Sequence, residues 1–141
     1  MNYIIRLFAL LLIMAFSPIR ADDASFADFI VGHYLLVGQG IETESTYSGT
    51  VSIYLENKQL KVKRTIDGNV TNGVAIFKVT LNGDSKVLRI NFSENNVNYE
   101  ETCLWISDLD NYARISCYLY TPGVKTRKPG MEVLFIDHSL N

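Results

Sequence analysis

The chain has 141 residues, of which 13 are lysine or arginine and 15 are aspartate or glutamate, so its formal net charge is −2. A mildly acidic protein of this length is typical of one domain with one core, and it argues against nucleic acid as the main partner. A zinc site needs several Cys or His side chains that converge, and this chain offers only Cys103, Cys117, His33 and His138.

Residues 1–21 are predicted to be a cleaved signal peptide, which leaves 22–141 as one mature domain. Arg6 precedes an apolar run at 7–16 that ends at Pro18, and a run of about ten residues suits a signal-peptide core but is too short to span a bilayer. The alternatives are a retained membrane anchor or a helix packed on the domain. Since no cysteine precedes Cys103 and no later stretch could span a membrane, we expect a secreted or periplasmic protein without a lipid anchor.

The mature chain is predicted to be all-β, with one short helix at 22–30. Its runs of β-branched and aromatic residues are separated by turn signals about every eight to twelve residues, which is typical of short antiparallel strands. In the helix, Phe26, Phe29 and Ile30 would form a small apolar face. The predicted strands cover 32–40, 46–56, 59–66, 73–81, 86–92, 97–107, 113–120 and 131–137.

Every predicted hairpin can be drawn with one apolar face, because side chains alternate across a strand. The inward pairs on this interpretation include Tyr34 with Ile53, Val51 with Arg64, Phe77 with Leu88, Phe92 with Val97, Cys103 with Cys117, Cys117 with Phe135 and Leu119 with Val133. Such a meander favours an eight-stranded antiparallel up-and-down barrel, since closure removes both sheet edges. A two-sheet sandwich is the alternative.

Cys103 and Cys117 fall on neighbouring predicted strands, facing inward. Disulfides persist in exported proteins, and the thirteen residues between the two cysteines exclude a Cys-x-x-Cys redox motif. A bridge would close a loop of about fifteen residues and stabilise the fold by roughly 3 kcal/mol. We therefore predict a structural disulfide inside the barrel.

A Gly-x-Tyr motif, Gly32-His33-Tyr34, opens the first predicted strand after a short N-terminal segment. Together with eight meandering strands, it resembles the lipocalin and calycin group, whose members place an aromatic residue, usually Trp, at the base of the barrel after such a glycine. This chain has Tyr34 at that position, and it shows neither a C-terminal helix nor the helical lid of fatty-acid-binding proteins. The resemblance implies a barrel that carries a ligand.

Signatures of enzymes are missing from the sequence. Asp137, His138 and Ser139 are consecutive, and adjacent residues of an extended chain point in opposite directions, so they cannot form a triad by themselves. His33 is predicted to face outward without a converging partner. Because the sequence also lacks a phosphate-binding glycine loop, a nucleophile elbow and a metal-ligand cluster, we expect a binding protein without catalytic residues, cofactor or metal.

Arg64 and Glu101 are predicted to face inward among apolar side chains. Buried charges must be paired or solvated, so this pair either anchors the polar group of a ligand in an apolar cup, forms a structural ion pair, or snorkels to a barrel mouth. The expected ligand is small and apolar or amphipathic, although bulky side chains leave it limited room. The predicted ligand-binding residues are Arg64, Glu101, Tyr34, Tyr99, Trp105 and Phe77.

The outer face of the seventh predicted strand supports an alternative function, a protein-binding or inhibitory module. Exposed Tyr and Arg beside the aliphatic Leu104 and Ile106 suit a protein contact, unless the N-terminal segment covers this face. The loop at 121–130 is locally basic and either contacts an anionic partner or membrane surface or is simply solvated. The predicted partner-binding residues are Tyr112, Arg114, Tyr118, Tyr120, Lys125, Arg127 and Lys128.

Two triplets, which begin at Asn69 and Asn91, match the acceptor pattern for N-glycosylation. The match has meaning only in a eukaryotic secretory pathway, because other cells do not modify this pattern in the same way. The sequence leaves this modification open, together with the oligomeric state.

Overall fold

The computed structural model describes residues 21–105 and 115–140. Residues 1–20 of the predicted signal peptide, and also Tyr112 and Arg114, lie outside the described residues. One helix and a 3₁₀ turn at Leu81–Gly83 accompany eight strands. The elements are α1 (Ala21–Ile30), β1 (Gly32–Gln39), β2 (Thr46–Glu56), β3 (Gln59–Ile66), β4 (Asn69–Thr80), β5 (Ser85–Glu94), β6 (Val97–Trp105), β7 (Ile115–Tyr120) and β8 (Gly130–Ile136).

The strands form a closed antiparallel barrel in the order β1 to β8, with β8 paired to β1. The predicted up-and-down barrel is confirmed, and the two-sheet sandwich is not formed. Three predicted pairs occur as expected, namely Val51 with Arg64, Phe77 with Leu88, and Cys103 with Cys117. Each strand therefore turns the predicted face inward through most of the barrel.

Two hairpins differ from prediction by two residues. Tyr34 pairs with Val51 rather than Ile53, and Phe92 pairs with Tyr99 rather than Val97. In the second case the turn is tighter than predicted, because Asn95 and Asn96 both adopt positive φ and connect β5 to β6 as a two-residue turn. A shift by two leaves the inward face unchanged.

The prediction for β8 was wrong by an odd number of residues, which turns the strand over. Cys117 pairs with Glu132 rather than Phe135, and Leu119 pairs with Gly130 rather than Val133. The loop at 121–129 is long enough to permit any register, and β8 carries apolar residues on both faces. A buried arginine on the opposite wall makes the Glu132 face the one that turns inward, because that charge requires a partner.

One end of the barrel is closed by α1, which we call the closed end. Ile30 of the helix is fully buried, and its carbonyl accepts a hydrogen bond of 2.6 Å from Tyr34 Oη. Phe26 packs against Phe77 and Trp105, with ring centroids 5.9 and 5.7 Å apart. The helix therefore closes the barrel end instead of covering the outside of β7.

The Cys103–Cys117 disulfide is formed between directly paired residues of β6 and β7, and both cysteines are buried. The predicted structural disulfide is confirmed. Of the helices that the structure describes, none has the length and apolar character required to cross a membrane.

Candidate functional site

The other end of the barrel, which we call the open end, contains a cavity of about 420 Å³ that we name the cup. Apolar and aromatic side chains form most of its wall, and charged side chains lie at its floor and rim. Its lining residues are Gly40, Ile41, Tyr47, Arg64, Ile66, Asp67, Phe92, Glu94, Tyr99, Leu119 and Thr121. The volume is within the range of about 300–1,000 Å³ that is typical of small-molecule sites.

In the open half of the barrel, large inward residues lie directly across from glycines. Four such pairs occur, namely Tyr47 with Gly38, Ile66 with Gly49, Phe92 with Gly73 and Leu119 with Gly130. A Cβ atom added to Gly38 would lie 2.5 Å from the Tyr47 ring, and one added to Gly73 would lie 3.0 Å from Phe92 Cβ. The Tyr47 ring therefore lies against Gly38. None of the four glycines adds side-chain volume to the open half.

The floor of the cup is a buried ion cluster formed by Arg64, Glu101 and Glu132, which are 4%, 1% and 1% exposed. Arg64 binds Glu132 through two hydrogen bonds of 2.6 Å, Nη1 to Oε2 and Nη2 to Oε1. Its Nη1 also donates to Glu101 Oε1 at 2.5 Å. β3, β6 and β8 each supply one member, so the cluster spans the barrel interior.

Two aromatic residues of the cup support the ion cluster. Tyr47 Oη donates a hydrogen bond of 2.5 Å to Glu132 Oε1. The guanidinium of Arg64 lies over the Phe92 ring, 4.1 Å from its centroid, and Phe92 in turn stacks on Tyr99 at 5.4 Å. Such cation–π and hydrogen-bond contacts hold the arginine in one orientation.

The two carboxyl groups of the cluster have opposite pKa shifts. Burial and the neighbouring charge of Glu132 hold the pKa of Glu101 well above its ordinary value. Burial is the largest influence on Glu132 and would raise its pKa, but the hydrogen bonds and the charge of Arg64, together with the hydrogen bond from Tyr47, outweigh burial and lower the pKa. The arrangement therefore favours a proton on Glu101 and an ionised Glu132 that neutralises Arg64.

Three of the predicted ligand-binding residues meet at the cup. Arg64 and Tyr99 line it, and Glu101 lies in the floor cluster beside Arg64. Of the alternatives for the charged pair, the structure shows an ion pair that is enlarged by a second carboxylate.

Cys103 Sγ lies 3.9 Å from Glu101 Oε2. Because this sulfur is part of the disulfide, it has no thiolate with which to bind a metal ion.

The other three predicted ligand-binding residues, Tyr34, Phe77 and Trp105, are not at the cup. They face inward as predicted, but they lie at the closed end with α1. The Phe77 and Trp105 rings contact each other at 5.4 Å. Alternation along a strand identifies the inward face, but it does not show which end of the barrel is filled.

Sequence reasoning missed Glu132 and Tyr47 in this site. Glu132 was predicted to face outward because the register of β8 was wrong. The number of donors on Arg64 was the signal that could have corrected it, since a guanidinium can bind a second carboxylate besides Glu101 and often binds one in bidentate fashion. Tyr47 lies four residues before Val51 on β2, so both side chains face inward. Its position directly across from Gly38 indicates that the ring packs against the neighbouring strand.

The described partner-binding candidates lie in two places. Tyr118 is 56% exposed on the outside of β7, whereas Tyr120 is only partly exposed and hydrogen-bonds Glu100 and Thr102. The basic loop is at the open end, where Lys128 pairs with Glu44. None of the basic residues of this loop lines the cup.

Lys125 and Arg127 are both exposed, and the loop that carries them is hydrogen-bonded to the β1–β2 connection. Arg127 donates its backbone N–H to Glu42 Oε1 at 2.6 Å, and the Glu42 N–H donates to the Lys128 carbonyl at 3.0 Å. The two long connections at the open end therefore support each other.

His33 faces outward, as predicted, but it has a partner that the prediction did not foresee. Its Nδ1 lies 2.9 Å from Ser52 Oγ on the neighbouring strand.

A second depression, of about 880 Å³, lies over β4, β5 and β6 and is lined by several asparagines, including Asn91. Its one charged residue, Glu100, pairs with Arg89, and neither His33 nor Ser52 lies there or at the cup.

No protein-family model matches this chain, and comparisons with curated proteins and with solved structures find no match either. The closed eight-stranded barrel is consistent with a calycin-like architecture.

Proposed function

We propose that this protein is an exported, lipocalin-like, non-enzymatic binding protein that holds a small amphipathic ligand in the cup. The observation that carries the proposal is the cup itself, a cavity of about 420 Å³ at the open end of the barrel, whose other end is closed by α1. Its aromatic and aliphatic wall suits the apolar part of a ligand, and its buried polar floor suits the orientation of a head group. The disulfide, which is typical of oxidising compartments, supports export.

The glycine pairs support this proposal further. A barrel of this size is commonly filled by its own side chains, and four inward glycines keep this one open at a cost in conformational entropy. Ligand binding would offset that cost, because a ligand that binds only the folded state stabilises it.

The proposal is tested by blocking the cup. Ile66 lines the cup, whereas Thr65 points to the outside of the same strand. Ile66→Trp and Thr65→Trp therefore add equally large rings on opposite faces of β3. Each protein is purified from its natural host and measured by native mass spectrometry, with thermal unfolding as the check that both variants are folded.

We expect a small adduct on the wild type and on Thr65→Trp that is lost under denaturing conditions, and no adduct on Ile66→Trp. Its mass would also identify the ligand. An adduct that persists on the folded Ile66→Trp variant would contradict binding in the cup. A wild type that carries nothing would contradict the carrier function.

A second candidate function, contact with another protein, is favoured by a row of exposed apolar side chains on the outer face. The row crosses β6, β7, β8 and β1 through Leu104, Tyr118, Met131, Val37 and Leu35, which are 48–60% exposed. Tyr118→Ala would weaken such a contact and leave the adduct in the cup unchanged. A co-purifying protein that is lost from this variant would support the second function.

A further inference from the structure

The residues that line the cup carry more uncompensated negative charge than positive charge. Arg64 is the one basic residue among the described residues that line it, and Asp67 and Glu94 are acidic. Arg64 is already bound to Glu132 and Glu101 beneath the cavity. No cation of the described residues is salt-bridged to Asp67 or Glu94.

A ligand carboxylate would find no free positive charge in this cup. Three donor contacts of the guanidinium go to protein carboxylates at 2.5–2.6 Å, and its face lies on Phe92. The charge of Arg64 is already neutralised by Glu132, so an anion that competes for this guanidinium would weaken the pairing and leave the buried Glu132 carboxylate less compensated, at a large cost. The same anion would meet the carboxylates of Asp67 and Glu94 at the rim.

A positively charged head group would be attracted to the cup instead of repelled. The rim carboxylates attract it, and the aromatic rings of Tyr47 and Tyr99 line the cup. Aromatic rings attract ammonium groups and give apolar surface to the hydrocarbon part of a ligand. Resting on the proposed binding function, we infer that the ligand of the cup is a small amphipathic amine and that the cup discriminates against carboxylates of the same size.

The inference is tested with three probes that share one octyl chain: octylamine, octanol and nonanoate, titrated at neutral pH by isothermal calorimetry. Octylammonium should bind about tenfold more tightly than nonanoate, with octanol between them, because the three probes differ only in the head group and the rim carboxylates attract the positive one. The difference should shrink between about 0.02 M and about 0.5 M salt, since the rim charges are accessible to solvent.

Matched charge variants assign this preference to the rim. The double variant Asp67→Asn, Glu94→Gln removes both rim charges, and Asn tolerates the positive φ of position 67. The control Glu56→Gln, Asp84→Asn makes the same change in net charge in exposed turns at the closed end. The rim variant should lose most of the preference for octylammonium, and the control should keep it.

Nonanoate binding as tightly as octylammonium would overturn this inference while leaving the cup as a binding site. An equal loss of preference in the rim and control variants would also overturn it, because the effect would then come from net charge alone. If none of the three probes binds, the proposed function and the inference fail together.

Discussion

Glu101 and Glu132 have the same side chain and share one arginine, but their positions give them different chemistry. Glu132 accepts two hydrogen bonds from Arg64 and one from Tyr47, which together stabilise its carboxylate. Glu101 accepts one hydrogen bond from Arg64. Two carboxylates beside one guanidinium cannot both be fully compensated in a buried site, so one of them retains its proton.

This difference predicts unequal effects of two isosteric substitutions. Glu132→Gln removes the charge that neutralises Arg64, and we expect it to lower the free energy of unfolding by about 3–5 kcal/mol at neutral pH. Glu101→Gln mimics the protonated acid, and it should cost much less. Urea denaturation of both variants measures the difference, and equal costs would contradict the assignment of the proton to Glu101.

The same assignment predicts the pH dependence of stability. Because the pKa of Glu101 is raised above its ordinary 4.5 in the folded state, the folded state binds this proton more tightly than the unfolded state does. Its contribution to stability is therefore complete below the ordinary pKa and is lost as the pH rises toward the folded value. The unfolding free energy of the wild type should decline as the pH rises above about 5, and this decline should be smaller in Glu101→Gln.

At the scale of the strands, alternation predicted most inward faces correctly. β2, β3 and β4 are joined by short turns that leave little choice of register, and Val51 faces Arg64 as predicted. β8 follows the long loop at 121–129 and is apolar on both faces, so neither the turn nor the hydrophobic pattern determines its face. The pairing of the buried Arg64 charge with Glu132 determines which face of β8 turns inward.

The glycines that lie directly across from large inward residues should not tolerate a side chain. A Cβ atom on Gly49 would lie 2.3 Å from the Thr65 carbonyl oxygen and 3.0 Å from Ile66 Cγ1, so β2 and β3 would have to separate. We expect Gly49→Ala to lower the unfolding free energy by about 1–3 kcal/mol. The neighbouring outward substitution Ser48→Ala serves as the control in chemical denaturation, and an equal, small effect of both would show that the close packing at Gly49 is unimportant.

At the scale of the whole molecule, the two ends of the barrel have different roles. The closed end is packed with α1 and aromatic rings, and the open end holds a cup above a buried ion cluster. The sequence predicted the barrel, the disulfide and an inward Arg64 with Glu101, because alternation and cysteine position carry that information. It left an apolar cup as one of several alternatives and did not predict which end of the barrel holds it, since the lining of that end follows only from the full set of registers.

The central claim, that the cup is the binding site, is tested most directly by backbone amide NMR during titration with octanol. This neutral probe separates the claim from the inference about head-group charge. We expect chemical-shift changes to be concentrated at Ile41, Ile66 and Leu119 and to be absent at Tyr118 on the outer face. Changes centred on Tyr118 and its apolar row, or no change at any residue, would contradict the account.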